Sequence, residues 1–321
     1  SSNLQHVAGK LRREGVWAVE SDPQKFADEI GLYKEVAYIY SYRMLNAFGE
    51  AWKKQKNFDW VKILSYCLTY IKDERFYSGQ FQIKNDGWGA NPDWVIGSIA
   101  NLLTEGMQND KNAFSLDLLP KAKEIILILG SNLKRVEDFK GTNMDYPTYS
   151  LNSTAGKVLR ALLDYSLRRA RNSFKYEDKG KWEIEMQQLF EETLAKEILD
   201  GHILEGMYFE QFYFLDKDWI TEQVKQHYDI REREWLAFIS GYSFGNAFCS
   251  KDIYNLFYPH FDKAIENHVE LKSFHNHGLV RHLTAFYFWG FETIADEKLL
   301  WKFLNKANPG EVEELVNFVW Q

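Results

Sequence analysis

Apolar side chains recur at three- and four-residue steps along most of this 321-residue chain, the spacing of one face of a helix. Between Tyr33 and Lys56 they are Ala37, Tyr40, Met44, Phe48 and Ala51. After the start signal Asn57–Asp59 they are Trp60, Ile63, Leu64, Cys67 and Ile71. Asn91-Pro92-Asp93 sets proline in the first turn of a helix running through Ile96, Ala100 and Leu103, where its missing N–H does no harm. The same periodicity predicts helices near 118–133, 154–171, 182–199, 203–215, 218–227, 231–240, 251–268, 277–294, 296–307 and 311–320. With only 6 prolines and 20 glycines to interrupt it, a chain of this kind favours long helices over many short strands. The stretch Phe76–Ala90 is the one expected to hold β or irregular structure.

Helix after helix joined by short turns, at about 40 residues per pair, resembles the HEAT and TPR arrays in architecture, though no repeat consensus is visible. The fold class expected is therefore all-α, an irregular α-solenoid of stacked helix pairs, with a closed α/α toroid as second choice. In either, a helix pair has too much apolar surface to stand alone and stacks on its neighbour. Residues 137–152 break the period with Gly141 and Pro147, suggesting an N-terminal helical segment (1–136), a loop or boundary (137–152) and C-terminal helical repeats (153–321). The end at Val319-Trp320-Gln321 falls inside an apolar periodic segment, the pattern expected of a domain cut from a longer protein.

Charge narrows the partners. Asp and Glu total 46 against 39 Lys and Arg, a net charge of −7, whereas a protein that neutralises many phosphates carries a basic excess. No nucleic acid is expected as partner. No apolar run approaches the roughly 20 residues that span a bilayer, and no secretory pattern opens the chain. No membrane partner is expected either, and the location expected is cytoplasmic. Cys67 and Cys249, the only cysteines, read as small core residues.

No motif assembles a catalytic or cofactor site. Ser153–Val158 is similar to a phosphate loop only in its Gly156-Lys157 pair; Leu151 and Val158 stand where a glycine and a hydroxyl are needed. Ser153 or Asn152 reads better as the cap of a helix whose buried face is Leu159, Leu162, Leu163, Ser166 and Ala170. Arg160, Arg168, Arg169 and Arg171 crowd toward its exposed side and C-terminal end, where cations complement the helix dipole. His275, His277 and His282 form the one histidine cluster in sequence, but the last two are five apart and a helical metal pair wants four. Capping and surface roles are expected for them, and no metal or cofactor. Glu205, Glu210, Asp216 and Asp218 could supply the acid and base of a glycosidase only if two of them faced each other across a cleft. Three aromatic stretches, 208–219, 235–248 and 286–291, read mainly as core, with some rings left to line a groove.

The segment from Leu151 to Arg171 combines Asn152-Ser153, Gly156, Ala161-Leu162-Leu163, Tyr165 and Ala170-Arg171. It resembles the C-terminal helical regions of bacterial antiphage proteins, above all the AVAST-type STAND NTPases, and similar regions of sirtuin-fused defence proteins. Trp235-Leu236-Ala237-Phe238, Phe257–Phe261 and Val280–Gly290 fit the same picture, so the resemblance covers about 151–321. It implies a region that senses a phage protein, with nucleotide-binding and effector modules elsewhere in the longer protein.

Together these readings predict a protein-binding sensor or scaffold region that performs no chemistry itself. The alternatives are a generic TPR- or HEAT-like scaffold and an α/α-toroid enzyme acting on carbohydrate. The stretch Glu137–Leu151 is longer than a minimal helix connection of about 2–8 residues, so Phe139, Tyr146 and Tyr149 are candidate anchors for a protein ligand, or rings folded back over the core. Arg168, Arg169 and Arg171 would add steering, and Phe209, Phe212 and Tyr213 further contacts, because aromatics and arginine dominate interface energetics.

Overall fold

The computed structural model describes residues 17–83, 89–135, 145–172, 182–245, 249–267 and 277–320. The first helices are α1 (Pro23–Asp28), α2 (Tyr38–Lys53), α3 (Trp60–Lys72), α4 (Glu74–Tyr77), α5 (Pro92–Met107), α6 (Leu119–Ser131), α7 (Tyr146–Asn152) and α8 (Thr154–Arg171). There follow α9 (Ile184–Ala195), α10 (Leu199–Met207), α11 (Phe209–Leu215), α12 (Lys217–His227), α13 (Glu232–Phe244), α14 (Lys251–Glu266), α15 (His277–Phe288), α16 (Leu299–Lys306) and α17 (Pro309–Trp320). Short 3-10 turns join some of them, and no strand occurs among the described residues. The fold is all-helical.

Local chemistry starts these helices. The side chains of Asp59, Asn91, Ser153, Asp216 and Ser250 each accept a hydrogen bond from the backbone N–H three residues on, capping α3, α5, α8, α12 and α14. Each such cap satisfies an N–H that the helix itself cannot. Stops are equally local. The helix expected over 182–199 ends at Ala195 because Glu197 turns into the left-handed region at φ 57°. The helix expected over 203–215 is two, broken where Tyr208 leaves helical geometry at ψ 31°.

The chain divides into two compact units, 1–134 with 153–191, and 135–152 with 192–321. In the first, α2, α5 and α8 pack in sequence as one row, while α3 packs on α6 and α6 on α8. In the second, α10, α13, α15 and α17 form one row, and α12, α14 and α16 another. Helices alternating between two stacked rows is the packing rule of helical arrays. A boundary at 137–152 does not describe this division, because α8 follows it in sequence yet packs on α5 and α6 of the first unit. Part of that supposed loop is helix α7, whose Tyr146 reaches into the core beside α10 and α13. Of Phe76–Ala90, the residues to Tyr77 close helix α4, and 84–88 lie outside the described residues.

The tightest packing lies in the row α10, α13 and α15. A Cβ on Gly206 would stand 2.2 Å from the Phe238 carbonyl oxygen, and one on Gly241 would stand 2.1 Å from that of Ile203. On Gly278 it would meet the Ser243 carbonyl oxygen at 1.5 Å. These are backbone obstacles, which no rotamer change relieves, so only glycine permits the approach. Rings fill the space toward α14: Phe238 stacks on Phe257 at 5.9 Å, Phe257 on Tyr242 at 3.8 Å, and Tyr242 on His282 at 4.5 Å.

Gly241→Ala is therefore expected to destabilise by about 3 kcal/mol or more, as overpacking against backbone does. Gly31→Ala, which meets nothing within 4 Å, should stay within about 0.5 kcal/mol of the parent. Urea denaturation of the two variants checks the contrast.

Candidate functional site

The residues singled out as contacts in the sequence do not come together on one surface. Phe139 lies outside the described residues. Tyr146 is buried with Leu199, Ile203, Met207 and Ala237, and Tyr149 packs half-buried against that cluster. Arg168, expected on the exposed side, is only 4% exposed. Its guanidinium donates to the backbone carbonyls of Gly106 (3.0 Å) and Phe114 and lies over the Phe114 ring at 4.9 Å. Arg169 pairs with Glu183 at 3.4 Å and Arg171 with Asp110 at 2.6 Å, so both tie α8 to its own unit. Phe209 and Phe212 are buried, the first edge-on to Phe257 at 5.0 Å. Tyr213 alone of that stretch's three candidates stays partly open, with the Lys217 ammonium 5.4 Å from its ring. Burial thus removes Tyr146, Arg168, Phe209 and Phe212 from any contact surface: each spends its contacts on the chain's own core.

The exposed apolar surface lies elsewhere. Helix α17 packs on α15, and on its open side Val312, Val316, Val319 and Trp320 are 37, 45, 46 and 85% exposed. Their steps of four, three and one residues place them on a single face. Phe288 and Trp289, at the end of α15, are also exposed. Charged side chains would be expected on an outward helix face with no partner.

Polar chemistry is concentrated inside the second unit. His202 and Glu205, three apart on α10, share a face and meet His227, the last residue of α12. All three are buried, and their ligand atoms lie within 4.8 Å of one another. His227 Nε2 and Glu205 Oε2 are hydrogen-bonded at 2.6 Å, His202 Nδ1 stands 3.6 Å from the same oxygen, and the two imidazoles are 5.0 Å apart edge to face. Glu205 Oε1 and His202 Nδ1 have no hydrogen-bond partner among the described residues. Burial alone would push the Glu205 carboxyl up, but the His227 charge and the contacts of both histidines outweigh it and hold the group below its usual value.

Of the histidines expected to cluster, His275 lies outside the described residues. His282 is not at the surface: it is buried, donates from Nε2 to the Tyr242 carbonyl at 2.9 Å, and is held by burial at about 4. His260 donates likewise to the Val224 carbonyl and accepts from Trp235 Nε1 at 3.2 Å. Among the expected acidic pairs, Glu205 is taken up by the buried cluster and Asp216 by the cap of α12. The one signal that could have found the cluster is the three-residue spacing of His202 and Glu205 on a helix. His227 carries none, being brought in by tertiary packing.

A small cleft of about 170 Å³ opens beside α10, lined by Gly206–Gln211, Phe244 and Gly245. Among the described residues no helix is long and apolar enough to cross a membrane. Comparison with protein-family models, curated proteins and solved structures returns no match.

Two outcomes follow from these positions. Tyr146→Ala should cost about 2–4 kcal/mol through the cavity it leaves, read as a clear drop in melting temperature. His282 takes up a proton near 6.5 when unfolded and only near 4 when folded. The His282 contribution to stability is therefore full above pH 6.5 and falls by about 3 kcal/mol as pH drops toward 4. The urea midpoint should decline across that window, and less steeply in His282→Phe.

Proposed function

We propose that this chain is a protein-recognition array, which binds a partner protein along the open face of α17. The observation that carries the reading is the apolar stripe Val312, Val316, Val319 and Trp320 on a helix whose other side already packs on α15. In the row α13, α15, α17 each helix is covered by the next, so the shape that fits the stripe is another amphipathic helix. Burying such a stripe would contribute about 25 cal/mol per Å² of apolar surface, concentrated at Trp320 as an interface anchor. Helix-in-groove recognition reads three- and four-residue steps of this kind. The likeness of residues 151–171 to the sensor regions of AVAST-type STAND NTPases supports a phage protein as the ligand class. Tyr146, Tyr149 and the α8 residues Arg168, Arg169 and Arg171 then serve the scaffold.

A photo-crosslinker introduced at position 316, in cells expressing candidate phage proteins, should give a covalent adduct with one of them. Val316→Asp with Trp320→Asp should abolish the capture and leave the melting temperature within about 2 °C of the parent, since both side chains are exposed. An adduct only with a second copy of the chain, or no adduct, would sink the reading.

A further inference from the structure

The buried cluster of His202, Glu205 and His227 does more than a hydrogen-bonded pair requires. A carboxylate taken out of water needs a partner, and His227 at 2.6 Å supplies one. That pair leaves His202 Nδ1 and Glu205 Oε1 buried without a hydrogen bond among the described residues, an arrangement that lowers stability unless something else satisfies them. The two orphaned atoms and the two paired ones are of the types that bind a borderline-soft divalent cation: two imidazole nitrogens and both oxygens of one carboxylate.

We propose that His202, Glu205 and His227 form a zinc site, with His202 Nδ1, His227 Nε2 and both Glu205 oxygens as donors. The geometry is close to what the ion demands. Zinc–nitrogen bonds of about 2.0–2.1 Å place tetrahedral imidazole donors about 3.3 Å apart. The distances from Glu205 Oε2, 2.6 Å to His227 and 3.6 Å to His202, bracket that value. Small side-chain rotations open the first and close the second, and the ion then replaces the hydrogen bond. All three ligand atoms already lie within 4.8 Å of one another.

The elements that carry the donors are rigid. Gly206, next to Glu205, locks α10 against the α13 backbone, and the His227 ring lies edge-on to Phe238 at 4.6 Å. Because α10 belongs to one row of the second unit and α12 to the other, the ion would staple the two rows together. The role is structural: both oxygens of Glu205 are engaged, and the site is sealed from solvent. Mixed nitrogen and oxygen donors select zinc, cobalt and nickel over magnesium and calcium, which take oxygen alone.

The test uses the full chain, stripped with a chelator and titrated with zinc and with cobalt. One equivalent of cobalt should give the intense visible bands of a four-coordinate ion, displaced by zinc. A thousandfold excess of zinc over its Kd should raise the melting temperature by on the order of 10 °C. His202→Phe leaves the His227–Glu205 bond in place, so it should fold without metal and bind zinc at least tenfold more weakly. Glu205→Gln, of the same size, should weaken binding likewise. A parent chain that is folded by circular dichroism yet shows neither cobalt bands nor a thermal shift overturns the proposal. So does wild-type zinc affinity in either variant.

Discussion

At Gly206, Gly241 and Gly278 the backbones of α10, α13 and α15 come nearer than any side chain would allow, each glycine facing a carbonyl oxygen of its neighbour. Contacts this close place α10 and α13 in one fixed relation, and much else in the second unit depends on it. Tyr146 can be buried only because α10 and α13 together make its pocket. The ring stack of Phe238, Phe257, Tyr242 and His282 keeps its spacing because two of its members ride on α13. Close-packed interiors respond to displacement as a whole, without local give, so a methyl group at Gly241 is felt well beyond its own contact.

Among the buried titratable groups of the second unit are Glu205, His202, His227, His260 and His282. Two of them bond to the backbone, His260 donating to a carbonyl and accepting from Trp235, His282 donating through Nε2 while its Nδ1 has no partner among the described residues. Burial then keeps their rings neutral. The Glu205 group differs in bringing a carboxylate and two imidazoles together, with two of their atoms left unbonded in one place. The first unit solves its comparable problem with Arg168, whose guanidinium finds two carbonyls and a ring.

Helix identity was legible in the sequence because it is set locally. Asp59, Asn91, Ser153 and Ser250 stand where the apolar period begins, and each caps as its chemistry demands. Burial at special positions was not legible. Arg168, Arg169 and Arg171 look alike as a run of cations at a helix end, yet only Arg168 turns inward, because carbonyls more than fifty residues away await it. Tyr146 sits in a stretch that Gly141 and Pro147 make read as loop, and its burial depends on Ile203 and Ala237. His282, from the group of histidines close in sequence, is not one of those that meet Glu205. His227 reaches Glu205 from another helix, and no spacing within one helix announces that.

The interleaving of the two units has a consequence for how the protein is made. The first unit is built from residues before 135 and after 152, the second from 135–152 and everything past 191. On a ribosome, the first rows α2, α5 and α3, α6 emerge early but wait for α8 to cover them. Meanwhile α7 is already outside, with its partners α10 and α13 still to be synthesised. For some ninety residues of elongation, at about 5–20 residues per second, Tyr146 and Pro147 have nowhere to bury. A nascent chain in that interval presents this helix with Tyr146 and Pro147 uncovered, and synonymous codons that slow translation after residue 152 would lengthen that exposure.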